Sequence, residues 1–249
     1  MSSESKHILD VSDLSISFGS NHVLRSFSMF LQEGENVVVL GKSGSGKSVL
    51  IKCIIGLLQA DSGSVRVMGK EVSMMSAREL DKLRASIGFL FQSNALYDSM
   101  TVRENLEFPL RRHRRELTKA EREKLVVEAL NDVALPHTID YLPEELSGGM
   151  KKRIALARAL MLKPRIILYD EPTTGLDPIT AREISALIVR IQQRYNTSSI
   201  IISHDMNCVR ATANRVVLLI DGKAYCEGSV ASLSESYDEN VKAFFDLPQ

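Results

Sequence analysis

Apolar and polar positions change rhythm several times along the chain. From Ile8 to Leu14 they alternate, the period-two pattern of a strand with one buried face, and Phe27 to Leu31 is a second apolar stretch. Glu33-Gly34-Glu35 is a turn, and the unbroken run Val37-Val38-Val39-Leu40 reads as a strand buried on both faces, as in parallel sheets. A helix begins within Gly46-Lys47-Ser48, passes through Val49-Leu50-Ile51 and reaches Gly56, a glycine suited to closing it. Asp61-Ser62-Gly63 reads as a turn, and the alternating stretch Ser64 to Met68 as a further strand. These short strands predict a β-rich edge beside the core.

From about Ser93 to Leu146 the period becomes helical. Thr118 and Glu121 form a capping box, and Leu125, Val126, Ala129, Leu130 and Val133 make one apolar face. This predicts a helical insert at about 93–160. A helix from about Gly149 to Met161 follows, then the run Arg165 to Tyr169, a helix from about Thr180 to Tyr195, the run Ser199 to Ile202, another helix, and the strand Val216 to Ile220. Alternation of strand and helix implies a parallel α/β sheet. The 249 residues suit one domain, 1–249, with the helical segment as an attachment.

Composition narrows the function classes. Apolar residues make up 44% and charged residues 25%, so the chain should fold rather than remain disordered. Lys plus Arg and Asp plus Glu both total 31, which removes the charge footprint of a general nucleic-acid binder. No apolar run approaches the roughly 18 residues needed to span a bilayer, and Met1 to Asp10 lacks a secretory apolar core, so a cytosolic location is expected. Cys53, Cys208 and Cys226 are widely spaced without a CxxC pair, the pattern of isolated thiols rather than a disulfide or zinc framework. The basic run Arg111-Arg112-His113-Arg114-Arg115 reads first as a solvated face, with anionic lipid or a partner as the other reading.

Three segments carry chemistry. Gly41-Lys42-Ser43-Gly44-Ser45-Gly46-Lys47-Ser48 fits G-x-x-x-x-G-K-[ST] and lies between an apolar strand and a helix start. Its glycines let backbone N–H groups surround a β-phosphate, Lys47 brings a cation to the β- and γ-phosphates, and the Ser48 hydroxyl reaches Mg²⁺. The helix that follows, through Val49, adds its dipole. In Ile166-Ile167-Leu168-Tyr169-Asp170-Glu171, four strand residues deliver two acids to the carboxyl end of a strand. Asp170 is the candidate metal ligand, and Glu171 the candidate base for a water attacking the γ-phosphate. Leu146-Ser147-Gly148-Gly149-Met150 opens a helix with Ser147 as N-cap and two glycines, so unpaired N–H groups offer a second anion site.

With these motifs in this order, the chain resembles the nucleotide-binding subunits of the ATP-binding cassette superfamily from about Ile8 to Gly228, although their signature usually ends in Gln where Met150 stands. The resemblance implies a P-loop ATPase fold: a RecA-like parallel core, an antiparallel β subdomain and a helical subdomain. It makes Phe18, before Gly19, the aromatic that stacks on adenine. Gln92, after Phe89-Leu90-Phe91, becomes the Q-loop glutamine beside Mg²⁺, and Thr174-Gly175-Leu176-Asp177 the D-loop. His204 in Ser203-His204-Asp205 becomes the switch histidine. ATP and Mg²⁺ are the implied ligands, and the implied assembly is two copies sandwiching two ATP molecules. In that sandwich Ser147, Gly148 and Gly149 of one copy meet the γ-phosphate held by the other.

A narrower likeness lies in Gln92-Ser93-Asn94-Ala95-Leu96-Tyr97, in Met150, and in Asp177-Pro178-Ile179-Thr180. These are similar to the Mla-type ATPases of lipid transporters. That implies a peripheral subunit on the cytoplasmic face of the inner membrane, working with an integral membrane permease, an MCE-domain substrate-binding protein and, in some relatives, a small STAS-domain protein. The length after His204 implies no added regulatory domain, and the close at Leu247-Pro248-Gln249 argues against a C-terminal arm. A cassette for another small substrate, or one serving cell division or iron–sulfur assembly, remains an alternative.

Overall fold

The continuous apolar runs form the centre of a six-stranded sheet. A computed structural model describes residues 7–245; the first six residues of the polar N-terminus and Leu247-Pro248-Gln249 lie outside them. In chain order the elements are β1 (Leu9–Phe18), β2 (Asn21–Leu31), β3 (Asn36–Leu40), α1 (Lys47–Ile54), β4 (Ser62–Val67), β5 (Lys70–Glu71), α2 (Ala77–Ala85) and β6 (Ile87–Leu90). There follow α3 (Val102–His113), α4 (Lys119–Asp132), α5 (Gly148–Leu160), β7 (Ile166–Asp170), α6 (Pro178–Tyr195), β8 (Ser198–Ser203) and α7 (Met206–Thr212). The chain continues with β9 (Arg215–Ile220), β10 (Lys223–Gly228), α8 (Val230–Ser234) and α9 (Glu239–Phe245).

The large sheet has the order β10-β9-β3-β8-β7-β6. All neighbours are parallel except β10, which returns antiparallel to β9. Because side chains alternate along a strand, each central strand feeds two cores. Val38, Leu40, Ile167, Tyr169 and Ile201 face the layer containing α3 to α7. Val37, Val39, Ile166, Leu168, Ile200 and Ile202 face α1 and a second, antiparallel sheet of order β2-β1-β4-β5. The middles of these strands, Val37–Leu40, Ile166–Tyr169 and Ile200–Ile202, are therefore apolar at successive positions.

The edge hairpin is longer than the sequence pattern implies. β1 and β2 pair out to Phe18 and Asn21, so Phe18 stands at the tip beside Gly19. Polar Asn21, His22 and Arg25 hide the first half of β2 from a hydrophobicity reading. Ser62 pairs with Ser15, so β4 starts inside the stretch read as a turn. Helix α2, capped reciprocally by Ser76 and Glu79, and the short β6 precede the region of helical period. Residues 91–101 form a loop before α3, with Asn94 and Ala95 at left-handed φ of 63° and 51°. Helices α3 and α4 each begin with a capping box, Thr101 with Glu104 and Thr118 with Glu121. In the basic run, Arg111 pairs with Glu107, Arg112 with Asp81 and Arg114 with Glu116.

Candidate functional site

The parallel order sends the carboxyl ends of β3, β6, β7 and β8 to one edge of the sheet, where open α/β sheets bind ligands. At the end of β3 the loop 41–46 turns back into α1. Gly44 has φ +78° and Gly46 has φ +105°, and a Cβ on Gly46 would lie 3.0 Å from Val23 Cγ1. Glycine is thus required there both for the backbone angle and for the approach to β2. No side chain caps α1, so its first N–H groups point into the loop unclaimed.

Lys47, 6% exposed, donates from Nζ to the Gly41 carbonyl at 2.8 Å and the Lys42 carbonyl at 2.9 Å. Its nearest acid is Glu171, with Oε1 at 4.0 Å. Burial depresses the Lys47 pKa, and the charges of Glu171 and Asp170 resist that. From the end of β7, Asp170 Oδ1 accepts from the Ser48 hydroxyl at 3.4 Å. Burial, then the neighbouring Glu171 charge, push the Asp170 pKa up, against the Ser48 hydrogen bond and the Lys47 and Lys152 charges.

Glu171 is 8% exposed and adopts φ +51° as the chain leaves β7. Its N–H donates to the Ile202 carbonyl at 3.0 Å, which ties it to β8. Its Oε2 lies 2.8 Å from His204 Nδ1 and 3.2 Å from the Thr174 hydroxyl, which donates to it. The His204 side chain is 59% exposed. The Thr173 hydroxyl donates to Asp205 Oδ2 at 2.9 Å, joining the segments that carry Glu171 and His204.

A cleft of about 350 Å³ is lined by Phe18, Val23, Ser43, Gly44, Gly46, Lys47, Ser48, Val49, Gln92, Glu171 and His204. Phe18, half exposed, brings an aromatic face to it. Gly41 and Lys42 contribute carbonyls behind Lys47, while Lys42 and Ser45 line a neighbouring groove shared with Arg25 and Phe244. Ser147, Gly148, Gly149 and Asp177 do not line the cleft. The Ser147 hydroxyl accepts from the Met150 N–H at 3.3 Å as N-cap of α5. A Cβ on Gly149 would lie 2.5 Å from Thr180 Cγ2, so the glycine lets α5 approach α6. Asp177 Oδ1 caps α6, accepting from the Ile179 and Thr180 N–H groups at 3.0 Å each.

Two connections escaped the sequence reading. Lys152, in α5, is 2% exposed and donates to the Gln92 carbonyl at 2.9 Å. The other is Thr173 with Asp205. A lysine among the apolar positions of Ile154, Ala155 and Leu156 was the only signal for the first; the second had none.

Residues 24–174 match the ABC transporter family. Over 239 residues the chain is 35% identical to the intermembrane phospholipid transport system ATP-binding protein MlaF of Haemophilus influenzae, covering 96% of this chain and 90% of that protein. The chain belongs to the ABC transporter family. It is an ABC ATPase cassette and a nucleotide binder.

This cassette is also 40% identical over 238 residues to the probable ribonucleotide transport ATP-binding protein mkl of Mycobacterium leprae, covering 96% of this chain and 68% of that protein. It is 38% identical over 229 residues to the methionine import ATP-binding protein MetN of Rhizobium johnstonii, covering 92% of this chain. The cassette spans only 63% of MetN, under two thirds of its length. Among solved structures, the ATP-binding cassette MJ0796, described as a dimer in a post-hydrolysis state bound to ADP and Pi, aligns with a TM-score of 0.81 at 31% identity. That alignment covers 89% of this chain and 98% of the other. Among the described residues, no helix is long and apolar enough to cross a membrane.

The site fits a magnesium nucleotide on its own chemistry. A buried ammonium, two glycines at positive φ and an uncapped helix start favour a polyphosphate. Among the described residues there is no cluster of three or more His, Cys, Asp or Glu that would cage a cation. The hard oxygens of Ser48 and Asp170 instead suit Mg²⁺, which keeps its waters and bonds substrate phosphates.

Proposed function

We propose that this cassette hydrolyses ATP to power movement of phospholipid or a related lipid through a separate membrane permease. The observation that carries the ATPase reading is the meeting of Lys47, Gln92, Glu171 and His204 in one cleft at the strand ends. Loop 41–46 and the α1 N-terminus hold the phosphates, Lys47 offsets their charge, and Phe18 stacks on the base. Mg²⁺, held by Ser48, Asp170 and Gln92, would polarise the phosphate oxygens. Glu171 takes the proton of the attacking water, and His204 and Thr174 hold its carboxylate in place. Ser147, Gly148 and Gly149, with Asp177 behind them, serve the nucleotide of a second copy, as their position outside their own cleft supports.

The lipid reading rests on the likeness to MlaF along nine tenths of its length and on segments 92–97, 146–150 and 177–180. It assigns the cassette to the cytoplasmic face of the inner membrane, with an MCE-domain protein and a STAS-domain protein as further partners. The test is reconstitution of the purified complex in proteoliposomes. Labelled phospholipid should move only with ATP and stop with Glu171→Gln. The identity to MetN favours a second reading, an amino-acid importer. Methionine uptake without lipid movement would decide for it, and absence of ATP turnover in the assembled wild-type complex would overturn the ATPase reading itself.

A further inference from the structure

Loop 91–97 carries Gln92 into the cleft, and its own hydrogen bonding is unusual. Lys152 Nζ donates to the Gln92 carbonyl at 2.9 Å and the Phe91 carbonyl at 3.4 Å. Six residues further along α5, Arg158 donates to the Ala95 carbonyl at 2.8 Å and the Asn94 carbonyl at 3.2 Å, with its guanidinium 5.8 Å from the centre of the Tyr97 ring. Four carbonyls of one loop are therefore held by two cations of one helix. Within this loop Asn94 and Ala95 have left-handed φ, a conformation that side-chain-bearing residues keep only when their surroundings impose it. At the far end of the loop, Asn105 of α3 accepts from the Tyr97 N–H at 2.8 Å and donates to the Tyr97 carbonyl at 3.1 Å.

Lys152 is the more telling of the two cations. It is 2% exposed and makes no ion pair among the described residues, so its ammonium is desolvated to satisfy two backbone carbonyls. Burial lowers its pKa, while the more distant charges of Asp170 and Glu171 support the protonated form. An apolar residue would fill the same space without that cost. The lysine therefore gains its place from what it holds.

We propose that Lys152 and Arg158 are positioning residues: they bind the Gln92 loop to α5, so that the loop and the Ser147-Gly148-Gly149 end of that helix move as one body. This deepens the ATPase reading above and rests on it. A displacement of loop 91–97, whose Phe91 and Tyr97 are exposed, then shifts the α5 N-terminus without any contact between the two sites.

The test compares Lys152→Met, Lys152→Arg and Arg158→Met in the full chain. In the nucleotide-free protein, amide exchange at residues 93–97 should quicken on the order of 10-fold or more in Lys152→Met and Arg158→Met, as expected when local opening is eased, while β3 amides keep their protection. Steady-state hydrolysis by Lys152→Met should lose on the order of 10-fold in kcat through misplaced groups, with ATP affinity within about 2-fold of wild type. Lys152→Arg should recover most of that rate. Unchanged exchange at 93–97, or kcat and affinity falling together, overturns the proposal. Should Lys152→Met not fold, exchange in Arg158→Met decides alone. A wild-type chain without ATP turnover would sink the ATPase reading, whereas the exchange result in nucleotide-free protein still judges the strap.

Discussion

Two helices of this cassette begin in glycine-rich turns, and they begin differently. Helix α1 starts from Gly46 at a left-handed angle, with no side chain over its N–H groups, and opens into the cleft beside Lys47. Helix α5 starts from Ser147 in extended backbone, with its hydroxyl on the Met150 N–H, and lies outside the cleft against Leu176 and Thr180. The first end is furnished with its own cation, serine hydroxyl and acids. The second has N–H donors but none of the cleft's machinery. A helix N-terminus favours an anion wherever it occurs, yet only what surrounds it says whose anion it takes.

The largest expected effects separate the two ends by what they do to rate and to binding. Glu171→Gln removes the proposed base at the first end while preserving size, and should slow turnover by about 100-fold or more, with ATP still bound. Single-turnover phosphate release checks this, and a mutant with most of the wild-type rate would move the base elsewhere. Lys47→Ala should lose both binding and hydrolysis, because on the proposed reading its charge meets the phosphates in ground and transition states alike. Ser147→Arg should lose hydrolysis and spare nucleotide affinity at its own loop. Equal loss of affinity in these two variants, by titration with a fluorescent nucleotide, would erase the distinction between the ends.

A smaller effect should come from the packing of the second end. Thr180 holds its hydroxyl on Asp177 Oδ2 at 2.5 Å, so its methyl group cannot swing aside for a new Cβ without losing that bond. Gly149→Ala should therefore cost about 1–3 kcal/mol by overpacking, despite the better helix propensity of alanine. Smallest is Ser147→Ala, which removes a single cap and should cost about 1 kcal/mol in urea melts. A Gly149→Ala protein as stable as wild type would mean that α5 and α6 part easily.

What the chain disclosed in advance was local. The glycine spacing of 41–48, the acids after an apolar run and the Ser147 cap each depend on neighbours a few positions away, so the pattern displays them. The strands buried on both faces were legible for the same reason: every position in Val37 to Leu40 is apolar. Asn21 to Arg25 were not, because half of β2 is exposed and polar and gains its pairing from β1. Helix α2 offers only Leu80 and Leu83 as apolar marks, too few to set a period. Lys152 reads as a surface charge until β6 and its loop are folded against α5, 60 positions away in the chain. Contacts of that range leave a trace only as a residue that fits its helix badly.

Glu171 holds φ +51°, an angle that costs a residue with a side chain about 1–3 kcal/mol. Glutamine at 171 inherits that penalty, whereas glycine is released from it. The cassette with Glu171→Gly should thus melt no lower than the Glu171→Gln form, even though it forfeits every side-chain contact to Thr174 and His204. At this one position the backbone angle and the side chain make opposite demands: the angle is easiest for glycine, and the contacts to His204 and Thr174 need a carboxylate.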